Sequence, residues 1–136
     1  QANADQLQPV MSFESAVISV REIPAGDSVG YGANWTAQRQ SHIATVAVGY
    51  GDGYPRHAPN GTPVLVNGVK CPLVGRVSMD MITVDVTDLV NTRAKIGDRV
   101  ILWGPALPVN EVAAACNTIG YELLTRMPDR VPRIYR

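Results

Sequence analysis

Asn67-Gly68 stands between two short apolar arms in VLVNGVKC, residues 64–71. A type I′ turn needs positive φ at both central residues, and Asn-Gly supplies it at the lowest steric cost, so this dipeptide between apolar arms predicts a two-residue β-hairpin. The rest of the first hundred residues repeats the theme. In ESAVISVRE, 14–22, period-two alternation puts Ala16, Ile18 and Val20 on one strand face, with Val17 blurring the pattern. Pro24-Ala25-Gly26-Asp27 then reads as a turn. The β-branched stretch SHIATVAVGY, 41–50, predicts a central strand covered on both faces, ended by Gly49, Gly51 and Gly53. Further strands are expected at about 72–78, 81–86 and 99–103, with a tight turn at Gly97-Asp98 between strands.

Helical spacing is confined to the last third. After Pro108, Asn110 is placed to cap a helix carrying Val112, Ala113, Cys116 and Ile119, and Gly120 to end it. YELLTRM, 121–127, continues for a helical turn or two, and VPRIY closes as a short strand. Six or seven strands with one or two short helices near the C-terminus predict a mainly β fold, a β-barrel or Greek-key-like domain. Twelve glycines and ten prolines in 136 residues suit so many turns.

Hydrophobic residues make up 46% and charged residues 18%, which excludes a disordered chain. Twelve basic residues balance twelve acidic ones, so nucleic acid and membrane surfaces are not expected partners. No stretch approaches the ~18 apolar residues of a spanning helix, and QANADQLQPV lacks the basic and apolar regions of a secretory signal. The expectation is a soluble, cytoplasmic chain whose Cys71 and Cys116 stay unpaired. Residues 1–10 read as a linker or leader remnant, 11–136 as one domain, and the initial Gln1 as a sign that the chain was excised from something longer.

Three clusters carry chemistry. Gly30-Tyr31-Gly32 follows a strand, and its flanking glycines let a large ligand approach the phenol, although a surface tyrosine in a turn fits the same residues. GYGDGYPR, 49–56, crowds Tyr50, Asp52, Tyr54 and Arg56 into one turn that matches neither the dinucleotide fingerprint nor the P-loop, so Asp52 is read as fixing the loop. In GRVSMDM, 75–81, Arg76 is suited either to grip a carboxylate or to pair with Asp80. His42 and His57 lack metal-ligand spacing, neither cysteine lies in CxxC, and no serine lies in GxSxG.

Six segments taken together resemble the C-terminal domain of the alanine racemases: SVGYGANWTA (28–37), VAVGYGDGYPR (46–56), NGTPVLVNG (60–68), VGRVSMDMITVDV (74–86), GDRVILWG (97–104) and YELLTRMPDRVPR (121–133). The resemblance covers nearly the whole chain from about Met11. It implies a pyridoxal 5'-phosphate-dependent isomerase that interconverts L- and D-alanine, for peptidoglycan precursors or alanine catabolism. The family's other domain is an N-terminal (β/α)₈ barrel that carries the cofactor on a lysine.

On this resemblance Tyr31 is the base that serves L-alanine, while the barrel lysine works on the opposite face. Met79 contacts the substrate carboxylate, where its backbone N–H is the donor because a thioether cannot be one. Tyr50 and Arg76 line the entry, Tyr121 reaches both the gate and the cofactor phosphate, and Asp80 orients its loop. A head-to-tail homodimer is implied, in which this domain completes the partner's active site.

The cofactor-bearing barrel is missing from these 136 residues. Only two lysines are present, Lys70 on a hairpin arm and Lys95 in a polar turn, and neither suits a buried covalent attachment. The chain alone is therefore expected to bind pyridoxal phosphate weakly and to racemise nothing. The other reading is a free-standing β-barrel module that holds a small anion with GYGDGYPR.

Overall fold

The computed structural model describes residues 11–30, 34–89, 93–118, 120–125 and 134–135. Its frame is a closed six-stranded antiparallel barrel. The strands are β1 (Met11–Ile23), β4 (Ser41–Val46), β5 (Pro63–Val66), β6 (Val69–Val74), β7 (Ile82–Asp85) and β8 (Arg99–Trp103), ordered β4-β7-β6-β5-β8-β1 with β1 returning to β4. A two-stranded ribbon, β2 (Ser28–Val29) with β3 (Trp35–Thr36), leaves the frame between β1 and β4. Two helices, α1 (Val109–Ala115) and α2 (Gly120–Thr125), follow the barrel, and β9 (Ile134–Tyr135) pairs with the start of β1. Among the described residues no helix is long and apolar enough to cross a membrane.

The hairpin forms as expected: Asn67 and Gly68 have φ of 51° and 78°, and β5 pairs with β6 from Val66↔Val69 to Pro63↔Pro72. Closure depends on β1, which is long enough to serve two neighbours. Its first half pairs with β8 and its second half with β4. Between Val17↔Val46 and Ser19↔Thr45 the register shifts by one residue, a bulge that leaves Ile18 extra. That bulge interrupts the alternation expected for Ala16, Ile18 and Val20, and it is Val17 that is buried, at 1% exposure, while Ile18 lies 43% exposed. The blur in the alternation was the bulge itself.

Other boundaries differ for local reasons. β4 ends at Val46 rather than Tyr50, since Tyr50–Asp52 form a 3₁₀ turn. The second hairpin arm covers 72–74 and stops at Val74, short of the expected 78, and the Gly97 turn is followed by β8, while the described residues 93–95 before it are not in a strand. At α1 the N-cap is Pro108, not Asn110. Its C-terminus is closed by Asn117 in the left-handed region at φ 57°, with Thr118 N–H donating to the Ala113 carbonyl and Asn117 N–H to that of Ala114. Gly120 instead opens α2, where a Cβ would lie 2.2 Å from Asn110 Oδ1.

The main core fills the barrel and continues under the helices. Val100 and Leu102 turn one face of β8 into the core, while the opposite face carries exposed Arg99 and half-buried Ile101 and is buried at its end by Trp103. Phe13 meets Trp103 edge-on at 4.8 Å, Tyr54 stacks parallel to it at 6.2 Å, and Val112, Ala113 and Leu123 join the same cluster. Lys70 to Glu111, 2.6 Å, ties β6 to α1. A second, smaller core of Ile23, Val29, Ala37, Ile43 and Val74 fastens the β2–β3 ribbon to the barrel wall. Neither cysteine is in a disulfide; burial pushes the Cys71 thiol up to about 11, with Asp85 and Asp88 adding to the effect.

Candidate active site

Two loops at one end of the barrel are joined backbone to backbone. The first leaves β4 and carries the Tyr50–Asp52 turn, and its geometry is set by Asp52, whose carboxylate accepts the Gly49 N–H at 3.1 Å. Asp52 thus fixes the loop, as its sequence position suggested, by reaching back three residues. The second loop, 75–81, joins β6 to β7 and is closed on itself: Ser78 Oγ donates to the Met81 carbonyl at 2.9 Å and accepts the Met81 N–H at 3.0 Å. Tyr50 N–H donates to the Ser78 carbonyl at 3.0 Å and Gly51 N–H to that of Met79 at 2.9 Å. A Cβ at Gly49 would stand 2.3 Å from the Ser78 oxygen, so only glycine permits this contact.

The junction brings Tyr50, Arg76 and Met79 to one cavity of about 840 Å³, together with Asn34, Arg56, His57 and Asp80. Met79 is 54% exposed there, and among the described residues nothing accepts a hydrogen bond from its N–H. Arg56 lies over the Tyr50 ring with Cζ 4.7 Å from the centroid, close enough for a cation–π attraction between two residues that line the cavity. Arg76 also borders a second cavity of about 530 Å³, lined by Ile18, Thr45, Met81, Ile82 and Thr83. Among the described residues it forms no ion pair with Asp80; both face the first cavity.

Tyr31 lies outside the described residues. The residue before it, Gly30, is seated so closely on the second loop that a Cβ would come within 2.8 Å of Arg76 N. Tyr121 has its backbone in α2, and its side chain lies outside the described set. Tyr54 shares a motif with Tyr50 but differs chemically. It is 2% exposed in the main core, burial drives its phenol far above the usual value with the nearby Cys116 adding to the shift, and its hydroxyl has no partner among the described residues. Sequence reasoning gave no separate role to Arg56 or His57, because their contribution depends on a loop pairing that no local spacing encodes.

A sequence model of the family "Alanine racemase, C-terminal domain" matches residues 10–135. The chain belongs to this family. Alanine racemase of Stutzerimonas stutzeri (strain A1501) is 59% identical over 129 residues, 95% of this chain, and that of Vibrio cholerae is 57% identical over 128 residues, 94% of it. The chain spans about a third of the length of these relatives, 36% and 35%. The crystal structure of the biosynthetic alanine racemase from Pseudomonas aeruginosa superposes with a TM-score of 0.88 at 55% identity, over 97% of this chain and 36% of that one. The alanine racemase from Bartonella henselae, whose structure has covalently bound pyridoxal phosphate, gives 0.84 at 43% identity over 90% of this chain and 34% of its own.

This alanine racemase C-terminal domain does not itself fit covalent attachment of that cofactor. Lys70 Nζ is held 2.6 Å from Glu111 on the barrel exterior, Lys95 lies in an exposed turn, and neither lines either cavity. Among the described residues no group of three or more His, Cys, Asp or Glu is placed to hold a metal ion.

Proposed function

We propose that the chain is the C-terminal part of a cytoplasmic, pyridoxal phosphate-dependent alanine racemase, supplying D-alanine for peptidoglycan or taking part in alanine catabolism. The cofactor belongs to the rest of the longer protein, a barrel domain that carries the lysine this chain lacks. What supports the reading is the pairing of the two loops, which brings Met79, Arg76 and Tyr50 to one cavity.

In this reading the chain works on the substrate from the side opposite the cofactor-bearing lysine. Tyr31 takes the α-proton of L-alanine, or returns it, at its phenol oxygen. An ordinary phenol pKa is near 10, so the completed site must lower it before it serves as a base at neutral pH. Met79 N–H donates to the substrate carboxylate and so orients the substrate. Tyr50, Arg76 and Tyr121 narrow the entry, and Tyr121 also reaches the cofactor phosphate. The site is completed across a head-to-tail homodimer, and the isolated chain is inactive.

The test is Tyr31→Phe in the full-length protein. L- and D-alanine are mirror images, so their equilibrium constant is one and kcat/KM must fall equally in both directions. A loss of about a hundredfold to ten-thousandfold is expected, the range for removal of a general base. The missing base is located by α-hydrogen exchange in D₂O, which stops for L-alanine and persists for D-alanine. Unchanged turnover, or exchange lost equally from both enantiomers, would overturn the assignment.

A further inference from the structure

We propose that Asn60 is a positioning residue for substrate binding, setting the Arg76–Met79 loop through a two-armed side-chain amide. Its Oδ1 accepts the Gly75 N–H at 2.8 Å, and its Nδ2 donates to the Asn34 carbonyl at 3.0 Å. The amide orientation is fixed by chemistry: reversed, it would set N–H against N–H and oxygen against oxygen.

Each partner matters for where it sits. Gly75 is the last residue before Arg76, and its buried N–H has no other acceptor among the described residues. Asn34 opens the return of the ribbon, one residue before β3, while Gly30 leaves β2 and packs onto Arg76 N. The ribbon is thus held to residues 75–76 at both of these described points, at Gly30 by direct packing and at Asn34 through Asn60.

Asn60 is itself presented from a rigid turn. Gly61 N–H donates to the Leu73 carbonyl at 2.8 Å, Leu73 N–H to that of Thr62 at 2.9 Å, and Thr62 Oγ1 to that of Pro59 at 2.7 Å. One amide therefore transmits the position of the β5–β6 hairpin base to both walls of the cavity. The side chain touches no reacting atom; it acts through Met79 and Arg76, and this role rests on the racemase reading above.

The experiment compares Asn60→Ala and Asn60→Asp with Tyr31→Phe, all in the full-length racemase. Asn60→Ala removes both arms; Asn60→Asp keeps the acceptor for Gly75 N–H and cannot donate to Asn34, so it covers the case in which the alanine variant fails to fold. A displaced loop grips the substrate less well, so KM for alanine should rise with kcat little changed, lowering kcat/KM about ten- to a hundredfold. Folded variants with wild-type KM and kcat, or with only a lower melting temperature, overturn the positioning role while an inactive Tyr31→Phe leaves the racemase reading standing. A fully active Tyr31→Phe overturns both.

Discussion

A methyl group added at Gly49 would meet the Ser78 carbonyl oxygen at 2.3 Å and that of Met79 at 2.4 Å. Neither oxygen can withdraw freely, because they accept the N–H groups of Tyr50 and Gly51. Gly49 has φ of −153°, an extended conformation open to any residue, so its requirement is space alone. Gly26 is the opposite case, with φ of 94° and nothing within 4 Å of an added Cβ. Gly49→Ala should cost about 1–3 kcal/mol from overpacking and weaken alanine binding in the full-length protein by parting the two loops. Gly26→Ala should cost about 1–2 kcal/mol from backbone strain and leave KM alone. Urea unfolding and steady-state kinetics on the pair separate the two; equal effects on KM would refute the contrast.

Elements were legible in the sequence where their cause is local. Asn67-Gly68 carries its turn in its own dihedral preferences, and Asp98 and Arg99 only add hydrogen bonds to Asn67 from outside the hairpin. The β1 bulge was hidden because its cause is distant: β1 must leave β8 and join β4 within 13 residues, and the extra Ile18 absorbs that change. The helix ends were misjudged for the same reason. Gly120 looked like a C-cap, yet its missing Cβ makes room for Asn110 of the neighbouring helix, and Asn117 performs the left-handed closure. At the site, Tyr50, Arg76 and Met79 were named from motifs, whereas Asn60 was not, since its partners lie 15 and 26 residues away. The Asn117 cap gives a prediction at this scale. Asn117→Gly should raise stability by up to ~1 kcal/mol by removing left-handed strain, and Asn117→Val should lower it by about 1–2 kcal/mol. Urea denaturation of the chain checks the order; a valine variant as stable as the glycine variant would show that the cap is not under strain.

At the scale of the whole molecule, the position of the amines decides whether the chain can hold pyridoxal phosphate covalently. The six-stranded barrel closes on itself and encloses its own core, so this frame has no open sheet edge. Its cavity wall nevertheless holds arginines, a histidine and a tyrosine, and neither of the two lysines. Lys70 is bound to Glu111 across the β6–α1 contact, and Lys95 stands on a turn away from both cavities. Covalent capture of pyridoxal phosphate requires an amine facing the substrate, and arginine stays protonated near neutral pH, so it cannot take that place. The isolated chain, given L-alanine and pyridoxal phosphate, should therefore form D-alanine only at the rate of the free cofactor. Borohydride trapping followed by peptide mapping should find no stoichiometric label on Lys70 or Lys95. D-Alanine formed in proportion to added chain, or one of these lysines labelled to completion, would place the amine on this domain and overturn the division of labour proposed for the full-length enzyme.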